Sequence, residues 1–450
     1  MNRQAMEGRF RRVHRRDWPG FLTHMIPACV WQAFSKSLHH QEHGNTRWTP
    51  KYVVEVLSAM GWSMQGTLTE RFREAREFLV ARYGGRHRPG RTYTGLVEAA
   101  RELGVAKIQA FWACLRETLP KRVGSAWHWH GWKVFGVDGS REDAPRTRSN
   151  KHMLGQSSKA GGRPQFWMTW LVHLATLSLW DWRQGSGDSS ERHHLLEMLW
   201  GLPAEALVVG DAGFVGFDFL SAIVASGRHF LVRCGSNVRL LIEGCIQEVR
   251  EEGDHRYVYL WPQGRRDQAP LKLRLIVLKS GPKRMYLLTN VLDGTRLSRC
   301  TAAEFYRARW GLEVNYRSFK QTMQRRQVLA RSASAGEVEL AGAILSMGLL
   351  RMHAAIALGA RMIHLSVAAA LRVIRRALEA LRFGRTTLWI TAALRTALRD
   401  PYRRRSGKAA HDWPHKKRES PPRPPKLRKL TRAQRAQWIT MFGNDVTQIT

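Results

Sequence analysis

Residues 132–140 read WKVFGVDGS and residues 206–214 read ALVVGDAGF. Each is a short apolar run, bounded by turn-forming residues, that closes on an aspartate with a glycine beside it, Asp138 in the first and Asp211 in the second. Apolar runs of this length flanked by glycine are the pattern of buried strands, so both carboxylates are expected at or near strand ends. If the strands are neighbours in one mixed sheet, the two side chains converge at its carboxyl edge, where open α/β folds place their ligands. Taken singly, either motif is equally an ordinary turn after a strand.

Working outward, the runs between and around these motifs alternate in type. QFWMTWLVHLATLSLW (165–180) is strand-like, a helix is expected around Ser190–Trp200 and another from Phe217 to Ser226, and HFLVRC (229–234) is again a strand. RYVYLW (256–261), LKLRLIVLK (271–279) and RMYLLTN (284–290) add β-type runs separated by Gly/Pro turns. YVVEVLSAM, ERFREAREFLVARY and GLVEAARELGVAKIQAFWACLRE, all before residue 125, carry apolar residues at three-to-four spacing, and the chain is helical again from Asp293 to about Leu398. The expected class is therefore α/β, a mixed-sheet core with a β-rich insertion flanked by helical regions. The divisions are a basic helical region over 1–125, read as DNA-end-binding, core over 126–239, insertion over 240–294, core again over 295–355, and a C-terminal helical region over 356–400. The last fifty residues, 401–450, carry 13 Lys/Arg against 3 Asp/Glu and the run ESPPRPPKLRKL, and read as a disordered basic tail.

The balance of 73 Lys+Arg against 36 Asp+Glu gives a formal net charge of +37. Such a surface concentrates polyanions through long-range attraction and counterion release, which makes nucleic acid the expected partner. A basic membrane-surface protein would need an amphipathic anchor or a lipidation motif, and neither is evident; the apolar stretch near Leu340–Leu350 is broken by Arg351 and His353. Five scattered cysteines without a C-x-x-C pair argue against a zinc ribbon or a secreted disulfide framework, and a reducing cytoplasm is the expected compartment.

The stretch EFYRARWGLEVNYRSFKQTM (304–323) places Tyr306, Arg309, Glu313 and Lys320 at offsets 0, 3, 7 and 14. On one continuous helix these share an arc of roughly 60°, beside an apolar stripe of Phe305, Leu312, Phe319 and Met323. An amphipathic helix with an ordinary Arg309–Glu313 ion pair would show the same spacing. Three carboxylates, Asp138, Asp211 and Glu313, without a His/Cys cluster suit hard divalent ions, Mg²⁺ or Mn²⁺ in its place. Two such ions about 4 Å apart can serve an in-line phosphoryl displacement, with Tyr306, Arg309 and Lys320 donating to phosphate.

The spacing Y-x2-R-x3-E-x6-K, with VDGS and GDAGF before it in that order, resembles the insertion-sequence-4 family of DDE transposases. The flanks SSERHHLLEMLWGLP, HFLVRC, LLTN and RSASAGEVELAGAILSMGLL resemble it too, over roughly 130–350. The resemblance implies an RNase H-like catalytic core and a catalytic, metal-binding triad of Asp138, Asp211 and Glu313. It implies contact of Tyr306, Arg309 and Lys320 with a DNA-end phosphate, and homodimers that bring two terminal inverted repeats together for cleavage and joining to target DNA. Ala212 departs from the basic or polar residue that many relatives carry after the second aspartate. A repurposed endonuclease of the same fold and a non-catalytic DNA-binding protein are the alternatives, the second disfavoured by the presence of all three acids.

Three further groups stand out. Trp127, His128, Trp129 and His130 read as edge packing beside a strand rather than a stacking or metal patch. His193 and His194 read as helix-surface residues. By the resemblance, Trp261 or Tyr286 could stack on a flipped base, although most strand aromatics are core.

Overall fold

A computed structural model describes residues 26–38, 46–83, 88–155, 162–280, 283–383, 390–400 and 423–443. In chain order the helices used below are α1 (Ala28–Ser37), α2 (Pro50–Trp62), α3 (Leu68–Tyr83), α4 (Tyr93–Arg116), α5 (Arg148–Leu154), α6 (Glu191–Leu199) and α7 (Phe217–Ala225), then α8 (Arg299–Ala308), α9 (Trp310–Arg317), α10 (Ala333–Leu358), α11 (Val367–Arg382) and α12 (Arg432–Phe442). The strands are β1 (Val134–Asp143), β2 (Gln165–His173), β3 (Ser178–Ser186), β4 (Leu207–Gly210) and β5 (His229–Cys234), then β6 (Arg239–Ile242), β7 (Gly253–Leu260), β8 (Leu271–Ser280), β9 (Lys283–Thr289) and β10 (Lys426–Lys429). They divide into two compact units, and β1 runs through both, with Val137 the last residue in one and Asp138 the first in the other.

The first unit comprises residues 1–129, 138–198 and 311–398. Its strands lie in the order β1-β2-β3, with β2 and β3 an antiparallel hairpin turned at Leu177, whose φ is +48°. Helix α10 is its centre. An amphipathic helix buries one stripe, but α10 is apolar nearly all round, so it must be enclosed, and almost all its residues from Val338 to Leu358 are buried. By length and composition this helix could cross a membrane, yet its apolar window is enclosed within the fold. Small residues let α2 approach it closely. Ser346 Oγ donates to the Ser58 carbonyl at 2.8 Å and the Trp62 indole donates to the Ser346 carbonyl at 2.9 Å. A Cβ on Gly61 would stand only 1.8 Å from Ser346 Oγ. Helix α4 is tied to β3 by Trp112 Nε1, which donates to the Trp180 carbonyl at 2.9 Å, and by the buried Arg116–Asp181 ion pair. The helices expected before residue 125 are thus packed around α10 and against β3, not a separate body.

The second unit comprises residues 130–137, 199–310 and 399–450. Its strands follow the order β10-β6-β7-β8-β9-β5-β4-β1. Parallel pairing puts Gly136 opposite Val209 and Gly210 opposite Val232, so β4 is central and buried on both faces. The β-type runs after residue 239 do form strands, and they continue the same sheet, because β5 pairs antiparallel with β9. The order β3-β2-β1 in the first unit and β1-β4-β5 in the second is that of an RNase H-like core, as expected.

The expectation of a disordered tail over 401–450 is corrected for residues 423–443. Strand β10 pairs in parallel with β6, and α12 follows with a capping box at Thr431. Trp438 of α12 packs edge-on against Tyr259 at 4.8 Å and against Trp261 at 6.3 Å between ring centroids. Net charge and proline outweighed a short apolar signal: Leu427 is buried among lysines and arginines that point outward. The remainder of that tail and residues 1–25 of the N-terminal region lie outside the described residues.

Candidate active site

Within the first unit, β1 is buried up to Val137 and becomes half-exposed from Asp138 onward, so the aspartate stands where the strand leaves the core. Gly139 N–H donates to Asp138 Oδ1 at 3.0 Å. A Cβ on Gly139 would come within 2.2 Å of Glu191 Oε1, so the first side chain of α6 reaches β1 beside Asp138. Tyr316 ties α9 to this place. Its hydroxyl donates to the Asp138 carbonyl at 2.7 Å and accepts from Trp170 N at 3.1 Å, and its ring stacks on Trp170 at 4.4 Å. Burial, followed by the nearby charges of Asp138, Glu191 and Glu142, holds the Tyr316 phenol well above its ordinary pKa. Glu313 is one turn earlier on α9, on the helix face that Tyr316 directs at Asp138. Tyr316 thus holds α9, the helix that bears Glu313, against β1 at Asp138. Glu191, absent from the expected set, adds another carboxylate beside Asp138; an acid that opens a helix after two serines is also ordinary helix-start chemistry, so the sequence alone does not mark it.

Within the second unit, β4 ends at Gly210 and Asp211 follows, capping a short turn by accepting from Gly213 N–H at 2.7 Å. Because Gly210 is opposite Val232, the next residue of β5, Arg233, is beside Asp211. Tyr306 is buried, with burial raising its pKa, Arg309 and Arg233 opposing that rise, Asp211 adding to it, and Arg233 hydrogen-bonded to it. The Arg309 guanidinium carbon is 5.8 Å from the Tyr306 ring centre. Asp211, Tyr306 and Arg309 are thus brought together, and Arg233 joins them. It is the arginine before the last residue of HFLVRC, and nothing in one strand reveals which neighbour it will face.

Lys320 is placed in the first unit, where its ammonium donates to the Arg141 carbonyl at 2.6 Å and pairs with Glu142 at 3.2 Å. Glu142 is buried, and desolvation pushes its carboxyl up to about 7 in spite of Lys320. The expected single helix is corrected. Helix α8 ends at Ala308, α9 begins at Trp310, and residues 318–322 form a π turn, closed by Met323 N–H donating to the Ser318 carbonyl at 2.9 Å. A π turn advances fewer degrees per residue than an α turn, so Lys320 does not keep the phase that one continuous helix would give it relative to Glu313. The apolar stripe holds, since Phe305, Leu312, Phe319 and Met323 are all buried.

Among the described residues no group of three or more Asp, Glu, His or Cys side chains is drawn close enough to hold a metal ion. The donor set still suits a hard cation, because each locality offers carboxylate oxygen where buried backbone ends, at Asp138 midway along β1 and at Asp211 just past β4.

Trp127 is core, stacked on His173 at 4.2 Å, as edge packing requires, and His130 pairs with Glu304 at 2.9 Å. His194 is corrected: it is buried, bonds Thr169 at 2.9 Å, and burial lowers its pKa, whereas His193 is exposed. Trp261 and Tyr286 are both buried, and the Trp261 indole donates to the Gln268 carbonyl at 2.7 Å.

Against known proteins, residues 133–349 match the Transposase DDE domain family. The transposase InsG for insertion sequence element IS4 of Escherichia coli (strain K12) is 27% identical over 238 residues, covering 50% of this chain and 52% of that protein. The chain thus spans about half the length of that curated relative. A piggyBac transposase synaptic complex with hairpin DNA is a distant structural likeness, at TM-score 0.41 and 10% identity over 85% of this chain and 84% of that one. Family matching brackets both aspartate motifs and the helix that bears Glu313, so residues 133–349 are similar to the transposase DDE domain.

Proposed function

We propose that the chain is an insertion-sequence transposase that cleaves DNA at the terminal inverted repeats of its element and joins the freed ends to target DNA. The observation that supports this reading is that Asp138 stands mid-strand where the buried half of β1 ends and Asp211 follows directly on β4, within the stretch that matches the transposase DDE domain, while Tyr316 ties the helix that bears Glu313 to Asp138.

Asp138, Asp211 and Glu313 would hold Mg²⁺, or Mn²⁺ in its place, as a pair of ions. Such ions activate an attacking oxygen and stabilise the leaving one. The rest falls to the chain's own cations. Arg233 and Arg309 donate to a phosphate near Asp211, and Tyr306 is kept protonated as a donor by its burial. The surplus of basic residues holds the duplex by neutralising phosphates. Two ends would be held by a homodimer, in the cytoplasm of a bacterial cell.

A cell-free assay on a duplex carrying the element's own end tests this. Wild type should nick and then join in Mg²⁺. Asp138→Ala, Asp211→Ala and Glu313→Ala should each lose both steps, by about 10³-fold or more, while shifting duplex binding by less than about threefold, because the acids serve the metal and the basic surface serves the DNA. Cutting without joining would favour the endonuclease instead.

A further inference from the structure

Two open hollows that share Arg163, Gln327 and Leu329 adjoin to form a trough within the first unit and beyond the carboxylates. It begins at Lys320 and runs over the π turn and the loop that follows, past the end of β1. Arg146, Arg163, Lys320 and Arg326 line it, together with the amides of Gln324 and Gln327. All of these but Lys320 are exposed. Asp143 is the acid on its wall, and it is engaged by the Gln165 amide at 2.8 Å and loosely by Arg163 at 3.8 Å.

The floor is not relaxed backbone. Residues 318–322 form the π turn, and Gln324 stands in the left-handed region at φ +58°, a conformation that a residue with a Cβ adopts only when its surroundings impose it. Those surroundings are identifiable. Buried Arg325, between the two exposed residues, donates to the carbonyls of Met60, Gly61 and Ser63 at 2.8–3.0 Å, which pins the loop to the end of α2. Gln324 and Arg326 are thereby turned outward on either side of that anchor, and Val328 N–H donates to the Asp143 carbonyl at 2.9 Å, fixing the far end to β1.

We propose that this trough is a track for the sugar-phosphate backbone of duplex DNA. Guanidinium and ammonium groups interleaved with amides are the donor set that phosphate and sugar oxygens use, and they position a duplex without reading its sequence. None of the described lining residues is an aromatic that could stack on an unpaired base, which favours the paired over the single-stranded form. This track rests on the transposase reading for its role, though not for its existence.

The test is metal-free binding of a fluorescent DNA duplex of about 20 base pairs to the full chain, measured across a salt series. For every phosphate that is no longer neutralised, the slope of log affinity against log salt flattens by about 0.9, so Arg163→Gln with Arg326→Gln should flatten it by nearly 2. The control pair Arg372→Gln with Arg376→Gln, exposed on α11, should flatten it by less than about 0.5. Single-stranded DNA of the same length should compete more weakly for wild type than duplex does. An unchanged slope in the Arg163/Arg326 pair, an equal flattening in the control pair, or equal competition by single strands would each overturn the track. Because no metal is present, failure of the track leaves the cleavage assay of the triad to stand or fall by itself.

Discussion

Glu142 shows how one residue outside the expected set carries a measurable consequence. It follows Asp138 by four positions on β1, so both point to one face of the strand, and its carboxylate is buried against Lys320. A carboxyl whose pKa rises on folding is destabilising when ionised, so stability is gained as pH falls through about 7 towards 4.5 and is lost above 7. At roughly 1.4 kcal/mol per unit, the ionised form costs the fold at most on the order of 3 kcal/mol. Glu142→Gln should therefore raise the thermal midpoint at pH 8, leave it nearly unchanged at pH 4.5, and remove the dependence between. An unchanged midpoint at pH 8 would mean that Lys320 compensates the burial fully. Glu142 and Arg233 were invisible for one reason: each takes its meaning from a partner more than seventy positions away, Lys320 for one and Tyr306 for the other.

At the scale of elements, the ends of buried runs were legible, although β1 continues past Asp138 to Asp143, and helix phase was not. Asp138 and Asp211 were placed by runs of buried residues that have no other use than a sheet interior. The Tyr306-to-Lys320 stretch reads as one helix because its apolar residues keep helical spacing, but a break at Arg309 and a π turn at 318–322 conserve the burial of that stripe while changing the direction of the polar groups. Sequence periodicity reports the buried face, and a local change of helix type alters the exposed one. Close helix approach was equally hidden, since Gly61 and Ser346 are unremarkable until α2 and α10 meet. Gly61→Ala should push against Ser346 and cost about 1–3 kcal/mol, seen as a lower midpoint in urea with the slope unchanged. Gly61→Ala with Ser346→Gly should recover much of that stability. A neutral Gly61→Ala would show that the two helices do not touch at this point.

For the whole molecule, the C-terminal segment is both charge and structure. Deleting residues 401–450 removes 13 Lys/Arg, which should flatten the salt dependence of DNA binding. It also removes β10 from the edge of β6 and Trp438 from Tyr259 and Trp261. The truncated chain should therefore unfold at lower temperature and aggregate through its newly exposed strand edge, as read by light scattering during a thermal ramp. The most direct measurement of the central assignment, three carboxylates serving one hard-metal site, exchanges each for a softer ligand: Asp138→Cys, Asp211→Cys and Glu313→Cys, each assayed for cleavage of an element end in Mg²⁺ and in Mn²⁺. The expected result is loss of cleavage by about 10³-fold in Mg²⁺ with partial return in Mn²⁺ for all three, and no such return for Glu142→Cys. Full activity in Mg²⁺ for any of the three would remove that residue from the site, and the same metal-selective rescue at Glu142 would contradict the triad as the metal-holding set.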